Sequence, residues 1–224
     1  MHPYVNSLKS LFEQNANPAN AAPMKKYMRD QFEYLGIKSP QFKALQSEFI
    51  KQNGLPPIED LDVIARGLWE LPQREFQYLA TSLIGKMEKQ LKEDFIATLE
   101  HLITHKSWWD TVDTIAGHNV GVMFKRFPNV KAKYLKKWRK SDNFWLRRTT
   151  LLFQLGYKEE TDFDLLCELI KENLGSDEFF INKAIGWALR QYAWTNPAPV
   201  KKFVKATKEL HPLSRREALK NIGI

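Results

Sequence analysis

The chain has 224 residues, 43% of them hydrophobic, with 34 Lys and Arg against 26 Asp and Glu and a formal net charge of +8. That length suffices for one domain with a large core, and no apolar run approaches the roughly 18 residues that a membrane span requires. Cys167 is the one cysteine, which excludes an intrachain disulfide and fits a reducing cytoplasm.

At the start, Met1-His2-Pro3-Tyr4 offers neither a basic n-region nor an apolar h-region, so no secretory signal is expected. Almost every later segment reads as helix. Apolar residues recur at spacings of three and four, Gly or Pro punctuates at short intervals, and β-type alternation is absent. Pro40, Pro57, Pro72, Pro197 and Pro212 stand at or near expected helix starts, where a missing N–H costs nothing. Ser107 with Asp110 reads as a helix cap, and Ser214 with Glu217 has the form of a capping box.

The second helix of each expected pair carries an early aromatic: Phe42, Phe76, Trp109, Phe144 and Phe179, at intervals of 34, 33, 35 and 35 residues. A further step of 35 lands on Ser214. A period of this size marks a solenoid, because one helical pair cannot bury its apolar face alone and stacks on the next. The expected fold is all-α: a single domain over 1–224, built as a solenoid of about six antiparallel helix pairs with a curved face. Four residues past each anchor stand Gln46, Ala80, Asp113, Arg148 and Lys183; eight past stand Ile50, Ile84, Gly117, Leu152 and Trp187. Positions 0, +4 and +8 share one stripe of a helix. Stacking therefore places Trp109, Asp113, Arg148, Lys183 and Trp187 on one patch.

Charge is unevenly spread. Residues 125–148 hold ten basic residues and one acid, a net of +9, whereas residues 159–178 hold eight acids and one lysine, a net of −7. A polyanion is the simplest partner for the basic stretch; a solvated helix face explains it equally well. Against this background Asp113 is out of place. Asp110 already serves the helix dipole in the first turn, and Asp113 lies a turn further in. It reads as a stabiliser of positive charge, with a surface acid or a partner for Arg148 as the plainer alternatives. Trp108 and Trp109 point about 100° apart on a helix, and the repeat register selects Trp109 as the indole that faces the patch. Arg148 and Lys183 read as phosphate contacts. His101 and His105 have i, i+4 spacing but no third ligand, so no metal is expected. Cys167 reads as a core residue, and no phosphate loop or dinucleotide fingerprint is present.

Several segments taken together resemble the AlkD family of bacterial DNA alkylation-repair glycosylases, which are HEAT-like right-handed superhelical solenoids. They are Tyr34-Leu35-Gly36-Ile37, Lys106-Ser107-Trp108-Trp109-Asp110 with Val112-Asp113, Ser141-Asp142-Asn143, Trp145-Leu146, Leu152-Phe153-Gln154-Leu155 and Lys183-Ala184-Ile185-Gly186-Trp187. The resemblance implies a concave basic face for duplex DNA and a catalytic cleft of Trp109, Asp113 and Trp187. It implies Arg148 as a phosphate contact, with Lys183, Arg147, Arg190, Tyr27 and Lys38 completing the DNA-binding set. Lys38 stands where the family carries glutamine. The implied activity is hydrolysis of the N-glycosidic bond of cationic alkylpurines such as 3-methyladenine and 7-methylguanine, without extruding the base. No cofactor is expected, and the implied state is a monomer acting in the bacterial cytoplasm. A non-catalytic HEAT-like module that binds DNA or protein is the competing reading.

Overall fold

The computed structural model describes residues 1–220. The helices are α1 (Pro3–Gln14), α2 (Pro18–Tyr27), α3 (Ser39–Asn53), α4 (Leu61–Glu70), α5 (Arg74–Lys86), α6 (Ile96–Thr104) and α7 (Trp109–Thr114). They continue as α8 (Gly121–Arg126), α9 (Pro128–Trp138), α10 (Phe144–Leu152), α11 (Phe163–Lys171), α12 (Phe179–Ala193), α13 (Pro197–Ala206) and α14 (Pro212–Leu219). A π-helical turn, Ile115–Val120, joins α7 to α8. Among the described residues the only β pairing is an isolated bridge between Glu33 and Gln73. No helix among them is long and apolar enough to cross a membrane.

The all-helical expectation holds, and so does the register of the repeat. Phe42, Phe76, Trp109, Phe144, Phe179 and Ser214 each fall in the first turn of a helix, namely α3, α5, α7, α10, α12 and α14. Pro40, Pro197 and Pro212 occupy first-turn positions as expected. By its internal contacts the chain divides into two units, Met1–Thr98 and Leu99–Ile224.

In the first unit α1 packs on α3 and α4, and α4 packs on α5. Phe12, fully buried, meets Phe42 edge-on at 5.4 Å and Phe76 at 6.5 Å, so two repeat anchors close on one α1 side chain. The loop before α3 is pinned from α5. The buried Glu75 carboxylate accepts three successive backbone N–H groups, from Leu35 (3.0 Å), Gly36 (2.9 Å) and Ile37 (3.1 Å). Gly36 has φ +85°, and a Cβ there would lie 2.0 Å from the Asn17 carbonyl oxygen. Only glycine fits this close approach. Gly36→Ala is expected to cost on the order of 3 kcal/mol, combining a left-handed penalty with overpacking against backbone. A lower urea midpoint at unchanged slope is the readout.

In the second unit the repeat-equivalent helices stand in order: α7 against α10, α10 against α12, α12 against α14. The intervening helices pack behind them, with α9 on α8 and α10, α11 on α10, and α13 on α12 and α14. This is the solenoid arrangement the period predicts. Where the π turn passes into α8, the Tyr157 hydroxyl donates to the Gly121 carbonyl at 2.6 Å.

The charge segregation visible along the chain closes up in space. Arg139 donates to both carboxylate oxygens of Glu172 (2.7 Å each) and to Glu168 (2.6 Å). Lys125 pairs with Glu160 at 2.9 Å and Lys137 with Glu100 at 2.6 Å. Arg139 and Lys125 of the basic stretch are therefore matched by the acidic stretch that follows it. Exposed pairs of this kind each contribute about 0–1 kcal/mol, so they set helix register more than stability.

Two capping expectations fail. The N-cap of α7 is Trp108, with no side-chain cap, and the Ser107 hydroxyl donates instead to the Ile103 carbonyl at 2.6 Å. The N-cap of α14 is His211, whose Nδ1 accepts from Leu213 N. Ser214 and Glu217 lie inside that helix and both turn toward α12.

Candidate functional site

A cleft in the second unit is lined by Trp109 and Asp113 from α7, Arg148 from α10, Phe179, Phe180, Lys183, Trp187 and Arg190 from α12, and Glu217 from α14. Its volume is about 320 Å³, at the small end of ligand sites. The repeat register thus brings Trp109, Asp113, Arg148, Lys183 and Trp187 together, as the +4 and +8 series require, and Arg190 joins them. The structure also separates the tandem tryptophans. Trp109 enters the cleft, while Trp108 packs on Trp145 at 6.1 Å and edge-on to Phe180 at 5.1 Å. Trp145 also meets Phe180 at 4.9 Å. This aromatic cluster fixes the start of α12, and with it the Phe180 carbonyl.

Asp113 is held by a fork. Arg148 Nε donates to Oδ1 at 2.7 Å and Nη2 to Oδ2 at 2.8 Å, while Nη1 donates to the Phe180 carbonyl. The Arg148 side chain is only 4% exposed and that of Asp113 13%. Arg148, expected as a phosphate contact, turns three donors inward, to the Asp113 carboxylate and the α12 backbone. Burial pushes the Asp113 carboxyl above the usual aspartate value; Arg148 opposes that shift, and Asp110 adds to it. The site holds a desolvated but partnered carboxylate in a cleft shared with two indoles.

At the other side of the cleft Glu217 receives both remaining cations. Lys183 Nζ lies 3.1 Å from Oε1, and Arg190 Nη1 donates to Oε2 at 2.6 Å. Burial raises the Glu217 carboxyl but the two cations outweigh it, and its pKa is lowered.

Three expected DNA contacts lie elsewhere. Arg147 donates to the Ser141 and Asp142 carbonyls, so it ties down the turn before α10. Tyr27 and Lys38 belong to the first unit, where they line a cavity with Asn20, Met24, Tyr34 and Tyr78; Tyr27 is 72% exposed. His101 and His105 stack their rings at 4.0 Å, and no group of three or more candidate metal ligands gathers among the described residues.

A family model described as DNA alkylation repair enzyme matches residues 8–222. The chain belongs to the DNA alkylation repair enzyme family. A solved structure described as a predicted DNA alkylation repair enzyme from Enterococcus faecalis is similar over 93% of this chain and 97% of that one, at 34% identity and a TM-score of 0.85. No curated protein matches the chain.

For a DNA alkylation repair enzyme, the charge balance of the cleft is informative. Asp113 and Arg148 cancel, and Glu217 cancels one of Lys183 and Arg190, leaving one net positive charge. The anionic pole lies at α7 and the excess cation on α12. Such a site can receive an anionic group on one side and a developing cation on the other. Sequence reasoning does not single out Glu217, Phe179 and Phe180 as site residues. For Phe179 the signal is present in the repeat anchor; for Glu217 it is masked by a likeness to a capping glutamate.

Proposed function

We propose that this protein is a DNA glycosylase that hydrolyses the N-glycosidic bond of cationic alkylated purines in duplex DNA. Family membership supports a role in alkylation repair. The observation that carries the reaction type is the buried, fork-held Asp113 carboxylate sharing a small cleft with Trp109 and Trp187. A purine alkylated at N3 or N7 already bears positive charge. It leaves as a neutral base with the electron pair of the C1′–N9 bond (C1′ being the sugar carbon) and needs no general acid. One carboxylate then suffices where ordinary glycosidases use two. The sugar left behind is oxocarbenium-like. Asp113 stabilises it electrostatically and orients the water whose oxygen adds to C1′ as one of its protons passes to bulk solvent. The indole faces of Trp109 and Trp187 pack on the sugar and favour its developing charge. Lys183 and Arg190 supply the phosphate-facing cations, acting from a monomer in the bacterial cytoplasm. In this reading the sugar occupies the cleft and the base remains outside it.

A second reading draws on the Asp113–Arg148 pair itself, which a non-catalytic DNA-binding module of the same fold would use only for packing. Incubation with duplex DNA carrying 7-methylguanine separates the two. Release of free base with matching abasic sites is expected, and an otherwise identical uracil duplex is expected to stay intact because neutral uracil is a poor leaving group. Tight binding of the duplex with no base released would favour the binding module, and efficient uracil release would rule out the cationic mechanism.

A further inference from the structure

We infer that Glu217 is a positioning residue of the cleft: its carboxylate sets Lys183 and Arg190 for the DNA phosphate beside the reacting sugar. The inference rests on the glycosylase reading above. Three features of the structure converge on it.

The first is the bridge. Lys183, Trp187 and Arg190 stand at i, i+4 and i+7 on α12, one face of one helix. Glu217 reaches across from α14 and binds the two cations that flank the tryptophan, at 3.1 and 2.6 Å. Each contact spends one N–H of a side chain that carries three (Lys) or five (Arg), which leaves donors for a phosphate. Two long side chains that would otherwise repel each other and sample many rotamers are thereby held together.

The second is how α14 is seated. A Cβ at Gly186 would lie 2.5 Å from the Glu217 Cβ and 2.9 Å from the Ser214 carbonyl oxygen. Glycine at 186 lets α14 approach α12 this closely. The Ser214 hydroxyl donates to the Asn182 carbonyl at 2.8 Å and locks the approach.

The third is ionisation. Lys183 and Arg190 hold the Glu217 carboxyl below its usual range, while burial holds Asp113 above its own. The two carboxyls of the cleft are therefore shifted in opposite directions. The charged groups around Asp113 are Arg148 on α10, Asp110 on α7, Lys183 and Arg190 on α12, and Glu217 on α14. Removing the Glu217 charge leaves the cleft more positive and favours the ionised form of Asp113.

The test is Glu217→Gln in the full chain, with single-turnover release of 7-methylguanine at saturating enzyme. Affinity is read with a duplex carrying a tetrahydrofuran abasic analogue. The expected result is excision slowed about 10-fold or more, the scale of misplacing a reacting group, with affinity unchanged or tighter because a negative charge has gone. The acid limb of the rate is expected to move to lower pH, which a merely structural role would not produce. The slowing should shrink when Lys183→Gln is already present, because coupled residues are non-additive. If Glu217→Gln does not fold, Glu217→Asp keeps the charge but draws it back by one methylene, and slowed excision is expected from it as well. Excision and acid limb like wild type would overturn the inference while leaving the glycosylase reading intact. Tighter binding with faster excision would also overturn it, since Glu217 would then be a competitor of the phosphate. Wild type releasing no base would overturn both readings.

Discussion

Asp113→Asn is expected to slow release of 7-methylguanine by on the order of 10²–10³, the typical cost of removing one preorganised electrostatic group. Its affinity for the abasic-analogue duplex should stay close to wild type, because Asp113 makes no favourable contact with phosphate. The asparagine keeps an oxygen facing the Arg148 fork but replaces the other oxygen with a donor. Arg148 is then a buried cation without its counter-charge. Some loss of thermal stability accompanies the loss of rate, and retained binding shows that the fold survives. Single-turnover excision and fluorescence anisotropy on one preparation separate the two effects. Unchanged excision would remove Asp113 from the chemistry.

Arg148→Met is expected to have the largest effect on stability, about 3–5 kcal/mol, the scale of breaking a buried ion pair from one side. Arg148 is 3% exposed and all three of its nitrogens are engaged. Without it, Asp113 is left desolvated and unpaired, and its carboxyl rises further. The sign of the pH dependence follows. A carboxyl whose folded pKa lies above its unfolded one binds more protons when folded, so its ionisation subtracts from stability and protonation restores it as pH falls. The destabilisation by Arg148→Met should therefore shrink on acidification, as measured by urea unfolding at neutral and acidic pH. Arg148→Lys should recover only part of the loss, since an ammonium group cannot make the two-pronged contact. A uniform destabilisation at every pH would show that Arg148 acts through packing and not through Asp113.

The frame of the site is legible in the sequence because that frame is periodic. The intervals of 34, 33, 35 and 35 residues suffice to place Trp109, Asp113, Arg148, Lys183 and Trp187 side by side, and the choice of Trp109 over Trp108 follows from the same register. What the period does not carry is which way a side chain turns. A guanidinium at Arg148 reads the same whether it faces a phosphate or the carboxylate one repeat earlier. Likewise, Arg139 and Glu172 sit in segments of opposite charge, and only the packing of the outer helices shows that they meet. Glu217 is hidden differently: Ser214-x-x-Glu217 has the form of a local cap, whereas Gly186 on another helix decides that it acts across the interface. Tyr27 and Lys38 enter through family resemblance alone, and the structure gathers them in a different unit, around their own cavity.

In the proposed mechanism an ionised, burial-perturbed Asp113 drives excision, and the pH dependence of single-turnover 7-methylguanine release tests this most directly. With enzyme in excess, and with enzyme-free release subtracted at each pH, the rate should fall on the acid side through a single titration. That titration should lie above the value near 3.9 of an unperturbed aspartate, because burial outweighs Arg148, and it should be absent from the residual rate of Asp113→Asn. A rate that stays flat down through the ordinary aspartate range while the protein remains folded, or an acid limb that persists in Asp113→Asn, would contradict the mechanism.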